Sequence, residues 1–113
     1  MTTIKVFKQN GYIIGFECSG HTGYGEYGSD ILCATISALS QSCVLGIKNV
    51  LKLKPKIVKQ DEVGYLRIEF LKQNDIDAIK KSQVLFETFV VSIKDLLQEY
   101  SDYISMEVIE NVY

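Results

Sequence analysis

The sequence predicts an α+β fold of two layers, with two helices packed on one face of a mixed, mainly antiparallel four-stranded sheet. Two observations lead to this fold class. Four short segments alternate apolar and polar residues, and two long segments repeat apolar residues at three- and four-residue steps. Alternation is typical of a half-buried strand, and the wider step is typical of an amphipathic helix. The segments occur in the order strand, strand, helix, strand, helix, strand, for which two layers are the simplest arrangement.

The first two strands are predicted at Ile4–Lys8 and Tyr12–Cys18. In the second strand Tyr12, Ile14, Phe16 and Cys18 alternate with residues of the opposite face. Asn10-Gly11 lies between the two strands and favours a tight hairpin, because both residues tolerate positive φ. The chain is therefore expected to open with an antiparallel pair.

The first helix is predicted from about Asp30 to about Leu53, with Ser29 and Asp30 as N-cap residues and Pro55 ending the helix. Its core-facing stripe consists of Leu32, Ile36, Leu39, Cys43, Ile47 and Val50. Cys33 then falls in the first helical turn, where backbone N–H groups lack partners within the helix. Ser37 follows one turn later on the same flanking face.

The second half of the chain supplies a third strand at Val63–Leu71, a helix from Asn74 or Asp75 to about Tyr100, and a last strand at Tyr103–Ile109. Residues 84–93 of this helix are apolar on more than one face. Such a helix is either central in its fold or covered by another subunit. We therefore expect a homodimer.

Length and charge limit the class of protein. The 113 residues, 47% of them hydrophobic, suffice for one domain spanning residues 1–113 with a single core. The net charge of -2 argues against a nucleic-acid partner, which requires a basic surface. The lysine-rich run Lys48–Lys59 is interpreted as a solvated helix end and linker, because Asp61 and Glu62 follow it.

No apolar run approaches the roughly 20 residues of a membrane span, and no signal peptide is evident, so we expect a cytoplasmic protein without a membrane partner. Three cysteines, Cys18, Cys33 and Cys43, show no paired spacing. An odd number of cysteines without a signal favours reduced thiols, and a lone histidine makes a metal site improbable. No cofactor is expected.

A glycine-rich loop with the chain's one histidine, His21, precedes the first helix. A thiol at the helix start and an imidazole on the loop are the two parts of a cysteine nucleophile and its base. A helix N-terminus lowers a thiol's pKa by at most ~0.7 unit, so the histidine must decide the activation. The alternatives are that Cys33 is a small core residue, that His21 only braces the loop, and that Asp30 only caps the helix.

The segment Gly23-Tyr24-Gly25-Glu26-Tyr27-Gly28 also matches the dinucleotide pattern G-x-G-x-x-G. Three features argue against a nucleotide site. The preceding strand belongs to a tight hairpin, the third glycine precedes the predicted helix cap, and Glu26 places a carboxylate where pyrophosphate would bind. The glycines are more typical of a loop that moves over a bound peptide.

Gly20-His21, the run from Gly28 to Ala34 through Asp30-Ile31-Leu32-Cys33, and Ser37-Ala38-Leu39 together resemble the ribosomal-processing cysteine protease family, called Prp. The family pattern is Gly-His followed by Gly-x-Asp-Ile-Val-Cys-Ala-Ala-Val-Ser. This sequence departs from it at Thr22, Leu32 and Thr35-Ile36, none of which is a catalytic group. The likeness extends to chain length and element order.

The resemblance implies a cytoplasmic, homodimeric cysteine endopeptidase of Firmicutes-type bacteria. Such enzymes remove an N-terminal extension from large-subunit ribosomal protein number twenty-seven. It further implies Cys33 as nucleophile, His21 as its partner, Asp30 and Ser37 lining the site, and Gly20 as a hinge. We add Tyr24 and Tyr27 as candidate contacts for the substrate. The rival hypothesis is a non-enzymatic, ribosome-associated module that binds a protein segment.

Overall fold

A computed structural model of the chain describes residues 1–20, 26–61, 64–71 and 76–111, with the backbone alone for 26–30. In these ranges the elements are β1 (Thr2–Gln9), β2 (Tyr12–Ser19), α1 (Glu26–Leu45), β3 (Lys56–Gln60), β4 (Tyr65–Glu69), α2 (Ile76–Tyr100) and β5 (Ile104–Glu110). The strands form one mixed sheet in the order β3-β4-β2-β1-β5. β1 pairs with β5 in parallel, and the other three pairings are antiparallel.

The α+β class, the two helices and the mixed sheet are confirmed, but the prediction of four strands is wrong. The additional strand, β3, covers Lys56–Gln60, which had been interpreted as part of a solvated linker. Lysines are common on edge strands because they discourage pairing with other chains. Their charge concealed the short Ile57-Val58 core of this strand, which pairs with β4.

The predicted hairpin at Asn10-Gly11 is confirmed. Both residues have positive φ, 53° and 83°, and Gln9 pairs with Tyr12 across the turn. Apart from those of α1, the predicted boundaries agree within two residues wherever the chain is described, while Asn74 and Asp75 lie outside the described residues. The opening antiparallel pair also removes the parallel first unit that a dinucleotide-binding fold requires.

Helix α1 begins earlier than predicted, at Glu26. Ser29 and Asp30 therefore lie inside the helix and not at its N-cap, and Gly28 is also helical. A glycine in a helix costs only about 1 kcal/mol, which packing of the rest of the helix readily outweighs. The objection to a nucleotide site that placed Gly28 before the helix is thus wrong, although the hairpin objection stands.

The same helix also ends differently from the prediction. After Leu45 it continues as a π-helical segment, Gly46–Val50. The left-handed Lys52, with φ of 59°, then turns the chain so that the Leu53 N–H donates to the Ile47 carbonyl at 3.0 Å. This closure precedes Pro55 and ends the helix by the αL mechanism usual at helix C-termini.

Both helices pack on one face of the sheet, as predicted. On β2, the Phe16 ring stacks on Phe89 of α2 at 4.0 Å between centroids and meets Phe86 edge-on at 6.2 Å. Two residues along the same face, Cys18 lies close enough to Cys43 of α1 for Cys43 to contribute to its raised pKa. Side chains two apart on a strand share a face, so α1 and α2 lie side by side over β2.

One segment of the helical layer, Ile31–Val50, is long and apolar enough by length and composition to span a membrane, with a mean hydropathy of 1.5. The expectation that no such stretch exists was therefore wrong. Core helices of globular folds also meet this criterion, and Leu32, Ile36 and Ile47 of the segment belong to the buried core. The segment is weak support for a membrane partner.

The opposite face of the sheet is polar. Arg67 donates to Glu69 at 3.0 Å, and its guanidinium carbon lies 4.5 Å from the centroid of the Phe7 ring. Within the described chain the Arg67 Nε has no hydrogen-bond partner, and the ring face beside it offers a cation–π contact. Phe7 is buried although it points away from the helices. The functional cleft lies on the helical side.

Candidate active site

A cleft of about 270 Å³ lies between the first described turns of α1 and the β3–β4 hairpin. Its lining combines apolar side chains of the sheet and helix with polar groups. The main residues are Cys18, Ile36 and Leu66 on the apolar side, and Cys33, Ser37, Gln41, Lys59 and Asp61 on the polar side, with Gly20 at the end of β2. An apolar cleft with a few polar groups is the usual form of a binding site.

The three cysteines differ sharply in their surroundings. Burial raises the pKa of Cys18 to about 12, with smaller contributions from the charges of Glu17 and Cys43. Burial also raises the pKa of Cys43 to about 12. Both therefore remain thiols at neutral pH, whereas Cys33 is only half-buried and lines the cleft. None of the three forms a disulfide.

Ser37 and Gln41 follow Cys33 at successive four-residue steps of α1, so the three side chains share one helix face. Gln41 Nε2 donates to Ser37 Oγ at 2.5 Å, and Lys59 Nζ donates to Gln41 Oε1 at 3.2 Å. Lys59 also pairs with Asp61 at 3.4 Å. A polar connection thus crosses the cleft from α1, the helix that carries Cys33, to strand β3.

Gly20 ends the cleft on the β2 side, immediately before His21. Its φ is +89°, and a Cβ built on it would lie 2.6 Å from the Met1 carbonyl oxygen. A side chain there meets both backbone strain and a backbone clash, which explains why the sequence has glycine at this position. This geometry fixes how the chain leaves β2 toward His21.

The family model described as "Cysteine protease Prp" matches residues 1–105. The chain belongs to this cysteine protease family. A curated relative, the ribosomal processing cysteine protease Prp of Bacillus subtilis (strain 168), is 30% identical over 90 residues, 80% of each chain. The chain is accordingly a cysteine peptidase, which favours the enzyme over the rival binding module.

Solved structures of similar proteins agree with the fold described above. SMU.848 from Streptococcus mutans superposes with a TM-score of 0.85 at 27% identity, covering 98% of this chain and 96% of that one. The Prp protease of S. aureus, with a substrate peptide, superposes with a TM-score of 0.81 at 26% identity, covering 96% of this chain and all of that one. A second structure of that protease holds a covalently linked product peptide.

The structure brings together three of the residues predicted for this Prp-family site, namely Gly20, Cys33 and Ser37, which all line the cleft. His21 and Tyr24 lie outside the described residues. Tyr27 and Asp30 belong to helix α1, but only their backbone is described. The pairing of His21 with Cys33 therefore stays a prediction.

The prediction that Cys33 falls in the first helical turn, beside unpaired backbone N–H groups, is wrong because the helix begins earlier. Helix α1 starts at Glu26, so Cys33 and Ala34 lie beyond its first turn. Backbone N–H groups at that depth bond to carbonyls four residues earlier and do not point at the chain entry. The N–H groups of Cys33 and Ala34 are therefore engaged within the Prp helix.

Sequence reasoning missed two polar residues of the cleft, Gln41 and Lys59. The sequence could have predicted Gln41, because it follows Ser37 by the same four-residue step that separates Ser37 from Cys33. Lys59 could not be predicted, because its position depends on β3, which had been taken for a linker. Among the described residues no group of three or more His, Cys, Asp or Glu side chains forms a metal site.

Proposed function

We propose that this chain is an endopeptidase that removes the N-terminal extension of large-subunit ribosomal protein number twenty-seven. The observation that carries the proposal is the position of Cys33. It lines the cleft with a partly exposed side chain, while burial holds the other two cysteines as thiols. The relatives are ribosomal processing proteases, and one solved relative holds a substrate peptide.

In the proposed mechanism the imidazole of His21 takes the proton of the Cys33 thiol, and the thiolate attacks the peptide carbonyl. The C–N bond then breaks as His21 returns the proton to the leaving amine. Water, deprotonated by His21, hydrolyses the thioester and releases the acyl product together with the thiol. Two groups of this chain thus carry every proton transfer.

We infer from the position of Cys33 within α1 that the histidine, and not the helix, supplies the greater part of the activation. The favourable field of a helix N-terminus falls off within the first turn, and α1 starts seven residues before Cys33. The helix therefore contributes less to the thiolate than a cysteine in the first turn would gain. The proposal makes the imidazole of His21 the decisive neighbour.

The substrate and the location of the protein follow from the same proposal. The peptide extension is the partner, and the reaction takes place in the cytoplasm, with no nucleic-acid or membrane partner and no cofactor. Tyr24, Tyr27 and Asp30 are proposed to contact the extension together with Ser37. Gly20 is proposed to act as the hinge of the loop that carries His21.

A cleavage assay tests the proposal directly. The purified chain is incubated with the ribosomal protein carrying its extension, and the products are weighed by mass spectrometry. We expect a short N-terminal peptide and the mature protein, and we expect the rate to fall by roughly a thousandfold in His21→Ala, since an acid–base group contributes on the order of 10²–10⁴. The mature protein alone serves as control and stays intact. Wild-type chain that leaves the extension in place contradicts the proposal.

We also propose that the chain is a homodimer. Val84 and Val91 of α2 are 74% and 64% exposed and lie about two turns apart on one helix face. The hydroxyls of Thr88 and Ser92 beside them donate to carbonyls of their own helix at 2.6 and 2.8 Å. These two hydroxyls therefore add little unsatisfied polarity to the face, and Glu87 is the charged residue beside the two valines.

The dimer is tested by light scattering after size exclusion. We expect twice the chain mass for the wild type and mostly monomer for Val91→Glu, because burial of an unpaired carboxylate is strongly unfavourable. Glu99→Gln, a charge change at an exposed site of the same helix, is the control. A monomeric wild type at high protein concentration refutes this proposal and leaves the peptidase untouched.

A further inference from the structure

The hydrogen bonds that cross the cleft have a defined direction. Lysine has only donors, so the atom of Gln41 that faces Lys59 is the carbonyl oxygen Oε1. The Gln41 amide group then faces Ser37 and donates to its Oγ. Lys59 thereby fixes the orientation of the Gln41 amide, and the amide in turn makes the Ser37 oxygen an acceptor.

The Ser37 proton consequently points away from Gln41. Several other helix hydroxyls donate to carbonyls of their own helix, for example that of Thr35 to the Ile31 carbonyl at 2.9 Å. Ser37 has no such bond, and no acceptor within the described chain takes its proton. Because Ser37 lines the cleft, its O–H is available to a group bound there.

The spacing along α1 indicates which group that is. Ser37 lies four residues after Cys33, about 6 Å along the axis at 1.5 Å per residue. At this separation the Ser37 hydroxyl is too far to hydrogen-bond the carbonyl group that the Cys33 sulfur attacks. The separation suits a neighbouring peptide group of the same bound chain, since an extended peptide advances about 3.3 Å per residue.

We propose that Gln41 and Lys59 are positioning residues that hold the Ser37 hydroxyl as a hydrogen-bond donor to a main-chain carbonyl of the peptide substrate. The inference rests on the proposed function and deepens it. Ser37 touches the substrate, whereas Gln41 and Lys59 act through Ser37. Peptide recognition at this position is thus independent of the substrate's side chains.

The variant Gln41→Glu tests the direction of the bonds. A carboxylate still accepts from Lys59 but cannot donate to Ser37, so the Ser37 proton turns toward residue 41 and is lost to the substrate. We expect KM to rise roughly fivefold, the loss of one neutral hydrogen bond, with kcat within about twofold of wild type. The rate at which iodoacetamide alkylates Cys33 is expected to stay unchanged. A general disturbance of the helix would change that rate, so this measurement separates the two explanations.

A double-mutant cycle separates positioning from an effect of charge. Ser37→Ala is expected to raise KM by the same roughly fivefold factor, and adding Gln41→Glu to it is expected to change KM no further. Gln98→Glu makes the same chemical change at an exposed site of α2 and serves as control. A Gln41→Glu enzyme with wild-type KM overturns the inference, and so do effects that multiply in the double variant.

The same cycle can be run without turnover. A synthetic peptide spanning the end of the extension is titrated onto Cys33→Ala with and without Gln41→Glu, and the Kd values are compared. A roughly fivefold weakening supports the inference even where the wild type cleaves nothing, in which case only the proposed function fails. Equal Kd values overturn the inference while cleavage by the wild type preserves the proposed function.

Discussion

Replacing Cys33 by alanine is expected to lower the rate of peptide cleavage by about 10⁴-fold or more, the size of effect seen when an enzyme loses its nucleophile. The reason is that the two remaining cysteines cannot take its place. Burial raises the pKa of both Cys18 and Cys43 to about 12, so fewer than about one in ten thousand of these thiols is ionised at pH 7.5. Initial rates with the extended ribosomal protein, measured by mass spectrometry, check this result.

Selective alkylation provides an independent check of the same assignment. Because the thiolate is the reactive form, iodoacetamide at pH 7.5 is expected to label Cys33 in the folded chain and to leave Cys18 and Cys43 unlabelled. Loss of activity should then follow labelling of Cys33 one for one. Peptide mapping of the alkylated protein identifies the site.

The matched control is Cys43→Ala. Cys43 is buried, and its sulfur donates to the Leu85 carbonyl at 3.6 Å, so its removal affects packing and not the cleft. We expect a modest loss of stability and cleavage within about twofold of wild type. Cleavage that survives in Cys33→Ala but is lost in Cys43→Ala would show that Cys43, and not Cys33, is the nucleophile.

Replacing Phe86 by alanine is expected to lower the free energy of unfolding by about 3–5 kcal/mol. Phe86 is fully buried and meets both Phe16 and Phe70 edge-on, each at 6.2 Å between ring centroids. The truncation leaves a cavity where α2 joins two strands of the sheet. Small domains have a free energy of unfolding of only about 5–15 kcal/mol, so this substitution removes a large share of the stability.

Urea denaturation monitored by circular dichroism measures this effect. Glu99→Ala, at an exposed position of the same helix outside the proposed dimer face, is the control and is expected to change stability by no more than about 0.5 kcal/mol. Equal losses for the two variants would show that the aromatic cluster is not the centre of the core. The urea midpoint and slope together distinguish a stability change from a change in the unfolded state.

Local patterns in the sequence suffice for much of this fold. The Asn10-Gly11 turn appears where the sequence places it, because positive φ at two successive residues is a local requirement. The core stripe of α1 appears at Leu32, Ile36, Cys43 and Ile47, because burial enforces the helical period, but the prediction that Val50 belongs to it is wrong, since Val50 is 78% exposed. The start of α1 was predicted less well, because Gly28 is helical although glycine has a low helix propensity.

Strand β3 shows why the rest required the tertiary structure. Its sequence, Lys-Ile-Val-Lys-Gln, carries only two apolar residues, and it becomes a strand by pairing with β4 at the sheet edge. Although β4 follows only a few residues later, two apolar residues among lysines give too weak an alternation to predict a strand from the sequence. The edge position then determines where Lys59 lies and, through it, the polar side of the cleft.

Short motifs and helical spacing are local properties of the chain, and they sufficed to predict the family, the candidate nucleophile Cys33 and its neighbour Ser37. The burial of Cys18 and Cys43 and the hydrogen bond from Lys59 to Gln41 became evident only in the folded chain. Both depend on packing between separate elements, which no local pattern records.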